Sequence, residues 1–193
     1  MSRSVVLIAW LAVGFTACAH VPPDLLSLRE YVDPFDDPWF GKHFEAAGEK
    51  PIEIPASGIA YRFTWLRSFD NPVIVRIECD VVCTMTSKRL SGEGGYEPGE
   101  IAAQITRDLS PAERDRLQRL FASVHFWRGP PGDPREGWIM DGAAWILEAA
   151  MPDAYEAWTI QSPMPVPVFE DFVRLCSLFI DLSGFEIPPD RVY

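Results

Sequence analysis

Asp141, Glu148 and His125 are the residues best suited to exchange protons at a shared site. Two carboxyl groups that flank a substrate can act as general acid and general base when they stand about 5 to 9.5 Å apart. A histidine beside them exchanges protons near neutral pH. A hydrolase built on this chain would therefore use Asp141 or Glu148 together with His125. Strand parity opposes the carboxylate pair. Position 141 is odd and 148 is even, so the two side chains leave a strand on opposite faces unless the backbone turns at Gly142. The simpler expectation makes Asp141-Gly142 a turn, Glu148 a solvated outer-face residue and His125 a structural histidine near a helix end. No Ser or Cys nucleophile stands beside His125 in the sequence. Gly-x-Ser-x-Gly, Ser-x-x-Lys and His-Glu-x-x-His do not occur either. His20, His43 and His125 have no ligand-like spacing to a cysteine, so neither a metal nor a cofactor is expected.

The cysteines pose a separate problem. Cys79 and Cys83 fall on one face of an alternating stretch, and four residues of strand would hold their Cα atoms about 13 Å apart. A disulfide needs less than roughly 7 Å, so they cannot pair unless the strand breaks near Asp80. Cys176, on the inward face of a helix, is the better partner for Cys83 or Cys79. The rival expectation is three buried, reduced cysteines packed as small hydrophobes.

The N-terminus carries an address. Arg3 precedes an apolar run over residues 5–15, followed by the small residues Thr16, Ala17, Cys18 and Ala19. This is the layout of a secretory signal, and it falls short of the roughly 20 apolar residues of a membrane span. Phe15-Thr16-Ala17-Cys18 resembles the lipobox of bacterial lipoproteins. That resemblance implies removal of residues 1–17 and a diacylated Cys18 at the new N-terminus. Ala19 after the cysteine resembles the pattern that sorts lipoproteins to the outer membrane, facing the periplasm. Ala17-Cys18-Ala19 also satisfies the rule for ordinary signal cleavage after Ala19, which would give a soluble secreted or periplasmic product.

Elements that would position a site follow from periodicity. Residues 73–88 alternate Val73, Val75, Ile77, Cys79, Val81, Cys83 and Met85 against mostly polar neighbours, which predicts one long strand or two short ones run together. Ile59, Tyr61, Phe63 and Trp65 predict a strand before it, joined through Asp70-Asn71-Pro72. Residues 91–99 are Gly-rich, but their glutamates and the lack of a following Gly-Lys-Ser/Thr make them a hairpin loop and not a phosphate cradle. Ile101, Ala103 and Ile105 resume the period of two. Ser110-Pro111-Ala112-Glu113 opens a helix with a capping box, and Leu117, Leu120, Phe121 and Val124 mark its buried face. Residues 143–150 and 155–161 predict a hairpin turning at Pro152-Asp153, with Trp145 facing Ile160 and Leu147 facing Trp158. Phe169, Phe172, Val173, Cys176, Phe179 and Ile180 predict a last helix, ended by Gly184. The Pro-rich, acidic residues 18–57 read as a lipid-anchored tether and irregular lead-in, with a short helix through Leu25, Leu28 and Val32. Trp39 and Phe40 either anchor that lead-in to the core or touch a partner.

The expected fold is α+β: an antiparallel sheet of about five or six strands over residues 58–193, with two amphipathic helices packed on one face. The chain has 193 residues, 48% of them hydrophobic, and a net charge of -11. That charge, with no cluster of basic residues beyond Lys88-Arg89, excludes a nucleic-acid partner. Seven tryptophans raise the possibility of stacking on a glycan, although most occupy positions the core would claim. The capped helix, Phe126-Trp127, Asp141-Gly142-x-x-Trp145-x-x-Glu148, Trp158 and Ser162-Pro163 together resemble an uncharacterised family of bacterial secreted proteins and lipoproteins. The resemblance spans the C-terminal half and implies neither catalytic residues nor a ligand. The expectation is a non-enzymatic envelope lipoprotein that meets the membrane through its lipid and binds a protein or glycan. The alternatives are the hydrolase above and a soluble secreted inhibitor or binding module.

Overall fold

The two-residue period that starts at Ile59 becomes a single antiparallel sheet of six strands. The computed structural model describes residues 34–92, 96–130, 141–164 and 166–193, all within the unit Val32–Tyr193. Cys18, the signal segment and the Leu25–Leu28–Val32 helix lie outside the described residues. The strands are β1 (Ile59–Arg67), β2 (Val73–Cys79), β3 (Cys83–Leu90), β4 (Ile101–Asp108), β5 (Ala143–Met151) and β6 (Ala154–Gln161), in the order β4-β3-β2-β1-β5-β6. The helices are α1 (Pro38–Ala46), α2 (Pro111–Ser123) and α3 (Glu170–Leu182). Among the described residues no helix is long and apolar enough to cross a membrane. The fold is α+β, with α2 and α3 packed on the same face of the sheet.

Odd positions of β1 point at those helices. Tyr61, Phe63 and Trp65 join Val75, Ile77, Met85, Trp145, Leu147 and Trp158 in one core with Leu117 and Phe121 of α2 and Phe172, Leu175, Cys176 and Phe179 of α3. Aromatic rings dominate this layer because each buries a large apolar area and meets its neighbours at tilted angles. Tyr61 meets Phe121 edge-on at 4.9 Å, and Phe126 lies 4.7 Å from Trp158. The hairpin pairs Trp145 with Ile160 and Leu147 with Trp158 as the alternation requires. At one end of the layer the indole nitrogens of Trp65 and Trp145 both donate to the backbone oxygen of Tyr193, at 3.1 and 2.9 Å. α3 stops at Leu182, two residues before Gly184, whose φ of +76° suits a residue without Cβ.

The other face of the sheet is covered too. α1 and the chain that follows it lie over the even positions of β1: Phe44 and Ala47 pack on Ile74 and Leu90, and Ile52 packs on Ala60 and Ala150. Phe40 packs against Leu66 and Ile146, while Trp39 remains 46% exposed. Residues 34–57 are thus a covering layer of the fold and not merely a lead-in. Asp37 caps α1 through Trp39 N–H at 2.7 Å, and Pro38 occupies the first turn where no donor is required.

The stretch 73–88 corrects two expectations. It is a hairpin, with β2 paired to β3 through residues 80–82. Cys79 and Cys83 are therefore opposite residues of neighbouring strands, 4.0 Å apart at Cα, and they form the disulfide. Cys176 does not pair with Cys83 or Cys79; it is a free thiol buried in the helical core. The turn uses three residues, so it preserves the odd-even pattern and alternation alone does not reveal it. Gly58, with φ +77°, lets β1 start hard against this hairpin end, because a Cβ there would sit 2.0 Å from the Cys79 carbonyl oxygen.

A non-reducing peptide map should show Cys79 linked to Cys83 and Cys176 alkylated only after unfolding. Replacing Cys83 by Ser should cost about 2 kcal/mol in the oxidised protein, as expected for so short a loop. The same replacement should cost much less when wild type and variant are compared in reductant.

Candidate functional site

The proposed acid-base residues do not converge. Glu148 stands on the even face of β5, as parity requires, but that face is not solvated. Its carboxylate is fully buried beneath α1 and residues 47–52, and it receives both Nε and Nη2 of Arg62 at 2.6 Å and the Tyr155 hydroxyl at 2.9 Å. Asp141 is exposed in the turn before β5, with φ +67°. Five residues of strand, about 16 Å, separate the start of β5 from Glu148. His125 is exposed just beyond α2, with φ +51°, on the helical side of the sheet. No catalytic pair forms from these residues, and among the described residues no cluster of His, Cys, Asp and Glu could hold a metal ion.

Glu148 belongs to a buried ionic layer. Arg62 also donates through Nη1 to the Lys50 carbonyl at 2.6 Å, and its guanidinium lies 4.3 Å from the Phe44 ring centre. Glu49, nearly buried, pairs with Lys88 at 2.7 Å and approaches Arg62 and Arg76 at 3.6 and 3.5 Å. The guanidinium of Arg62 is held more firmly protonated than usual: desolvation opposes its charge, but the hydrogen bonds and charges of Glu148 and Glu49 outweigh it. With every charge matched, this layer is structural.

His125 instead stands at a cleft of about 410 Å³ between the start of β1 and the C-terminal half of α2. Tyr61 and Ile59 of β1, Gln118 and Phe121 of α2, and Phe126 and Trp127 of the following 3-10 turn line it with His125 and Arg128. Its size lies within the range of small-molecule sites, about 300 to 1,000 Å³. Tyr61 is only 2% exposed. Burial alone pushes its phenol upward in pKa, with no hydrogen-bonding group contributing among the described residues. The phenol thus stays protonated, a hydrogen-bond donor and not a nucleophile. Among the described residues the lining holds no Ser, Thr, Cys, Asp or Glu. Chemically the cleft can bind and orient; among the described residues its lining supplies no acid partner for His125 and no nucleophile for it to activate.

Two other hollows are less promising. A cleft of about 550 Å³ beside the disulfide is lined by Arg76 and Glu78, already paired to each other at 2.9 Å. A groove of about 370 Å³ between α2 and α3 presents Arg116, Arg119 and Arg174, of which Arg116 and Arg174 face Asp181 and Asp171 at 3.7 Å. The sequence missed the aromatic cleft because its walls come from segments some sixty residues apart, each reading only as core-facing; the odd parity of Ile59 and Tyr61 was the available signal.

α2 holds one wall in place, and its N-terminus is clamped. Ser110 accepts from Glu113 N–H at 3.3 Å while Glu113 accepts from Ser110 N–H at 2.7 Å, and Arg107 of β4 grips the same carboxylate through two nitrogens at 3.0 and 2.8 Å. The Arg107 hydrogen bonds, followed by the Ser110 backbone N–H, depress the Glu113 pKa to about 2. A depressed folded-state pKa contributes stability that is complete above the unfolded value, near 4.5, and is lost as pH falls toward 2. The difference in urea midpoint between wild type and Glu113→Gln should therefore be constant above about pH 5 and shrink steadily below it. Ser110→Ala should cost about 1 kcal/mol at neutral pH.

No protein-family model and no curated protein matches this chain.

Proposed function

We propose that the protein is a bacterial envelope lipoprotein, tethered through Cys18 to the outer membrane and facing the periplasm, that binds a partner without turning it over. The single observation that carries the binding half is the cleft around Tyr61: an aromatic hollow of about 410 Å³ with no nucleophile or carboxylate among the described residues of its lining. The hydrolase alternative loses its support, since Glu148 is bound to Arg62 on the far side of the sheet from His125. The anchoring half rests on the signal-like residues 1–17 and the lipobox-like Cys18.

Made in a bacterial host, the full-length protein should fractionate with the outer membrane, and its intact mass should begin at Cys18 with a diacylglycerol and an acyl increment. Cys18→Ala should abolish both. A soluble product that begins at His20 would replace the anchor with the secreted binding module.

A further inference from the structure

We propose that the cleft between β1 and α2 is a saccharide site that takes a pyranose ring, with Trp127 as the stacking surface and Tyr61 as a hydrogen-bond donor. The proposal rests on the binding reading and adds the chemical class of the occupant.

A pyranose has two unlike surfaces. One carries polarised C–H groups and suits the negative face of an aromatic ring. The edge carries hydroxyls, each both donor and acceptor. The cleft offers the complement of each. Trp127 is only partly buried, and its neighbours Phe121 and Phe126 meet it edge to face, at 71° and 77°, so neither stacks parallel upon it. The polar groups are the Tyr61 phenol, the exposed Gln118 amide, the exposed His125 imidazole and the exposed Arg128 guanidinium, a set that can both donate to and accept from ring hydroxyls. Among the described residues the lining has no carboxylate to seat an ammonium group. Nor is it apolar throughout, as an acyl chain would require, because Tyr61, Gln118, His125 and Arg128 bring polar groups to its lining. A volume of about 410 Å³ is enough for one or two sugar rings and too small for a folded protein segment.

The order of contributions follows from burial. Tyr61 is 2% exposed whereas Gln118 and His125 are exposed, so a hydrogen bond from its phenol should be worth more than those of Gln118 and His125 at the rim. Tyr61→Phe removes that one oxygen, leaves the ring packed on Phe121 and Phe179, and is expected to preserve the fold.

The test titrates full-length, isotopically labelled protein, in detergent where it carries the anchor, with N,N′-diacetylchitobiose and with maltose to roughly 10 mM each. The readout is the indole N–H signal of Trp127, assigned by Trp127→Phe. The expected result is saturable movement of that signal with at least one disaccharide, weakened about tenfold or more in Tyr61→Phe and least affected by Gln118→Ala. Equal affinity in wild type and Tyr61→Phe would overturn the proposal, as would no response to either sugar. Indole, titrated in parallel, separates the two levels. If indole moves the Trp127 signal and the sugars do not, the saccharide assignment fails while a binding cleft stands. If nothing moves it, the binding reading fails as well.

Discussion

The fold turns on the ion pair between Arg62 and Glu148. Both side chains are fully buried, and removing two charges from water costs several kcal/mol per ion, recovered only when geometry is good and every remaining donor and acceptor is used. Here the guanidinium meets both carboxylate oxygens at 2.6 Å, its third nitrogen reaches the Lys50 carbonyl, and Tyr155 supplies the last hydrogen bond to Glu148. Arg62 and Glu148 are direct cross-strand partners in the β1–β5 ladder. A slip of one residue between these strands would separate the charges and also turn every aromatic residue of β1 to the wrong face. The pair thus selects the register that aims Tyr61, Phe63 and Trp65 at the helices.

This constraint explains why the layer of residues 34–57 exists. An arginine and a glutamate on the even face of a central strand pair would be solvated on a two-layer protein. With α1 across them, Phe44 lies against the guanidinium and Glu49 draws Lys88 and Arg76 into the same network. The covering layer keeps water from the charges, and the charges in turn hold the layer, through the Lys50 and Ala47 carbonyls, on the sheet. The face that carries the cleft is then free to be almost wholly apolar.

Much of the architecture was legible in the sequence because it depends on local rules. The Ser110–Glu113 capping box, the Pro152-Asp153 hairpin and the stop at Gly184 all need only neighbours in the chain. What was not legible depends on what lies across a face. Alternation placed Glu148 opposite Trp145 and Leu147 but could not say that α1 covers it, since prolines and acidic residues made 34–57 look like a tether. Asp37-Pro38 was a helix-start signal of the same kind as Ser110-Pro111, overlooked because no long apolar stripe follows it. The disulfide was hidden for another reason: a three-residue turn preserves parity, so Cys79 and Cys83 kept the signature of one strand. The candidate site was legible only in parts, Tyr61 as a strand residue and His125 as a helix-end histidine, and their meeting is a tertiary fact.

The most direct measurement is a double-mutant cycle on the ion pair, with Arg62→Met, Glu148→Leu and the two combined, read by urea unfolding at neutral pH. Each single replacement should cost about 3 to 5 kcal/mol, because it strands a buried charge, and the double replacement should cost clearly less than their sum. Single losses below about 1 kcal/mol that simply add would show that the pair is an ordinary surface contact. The register, the covering layer and the position of Tyr61 would then have to be set by something else.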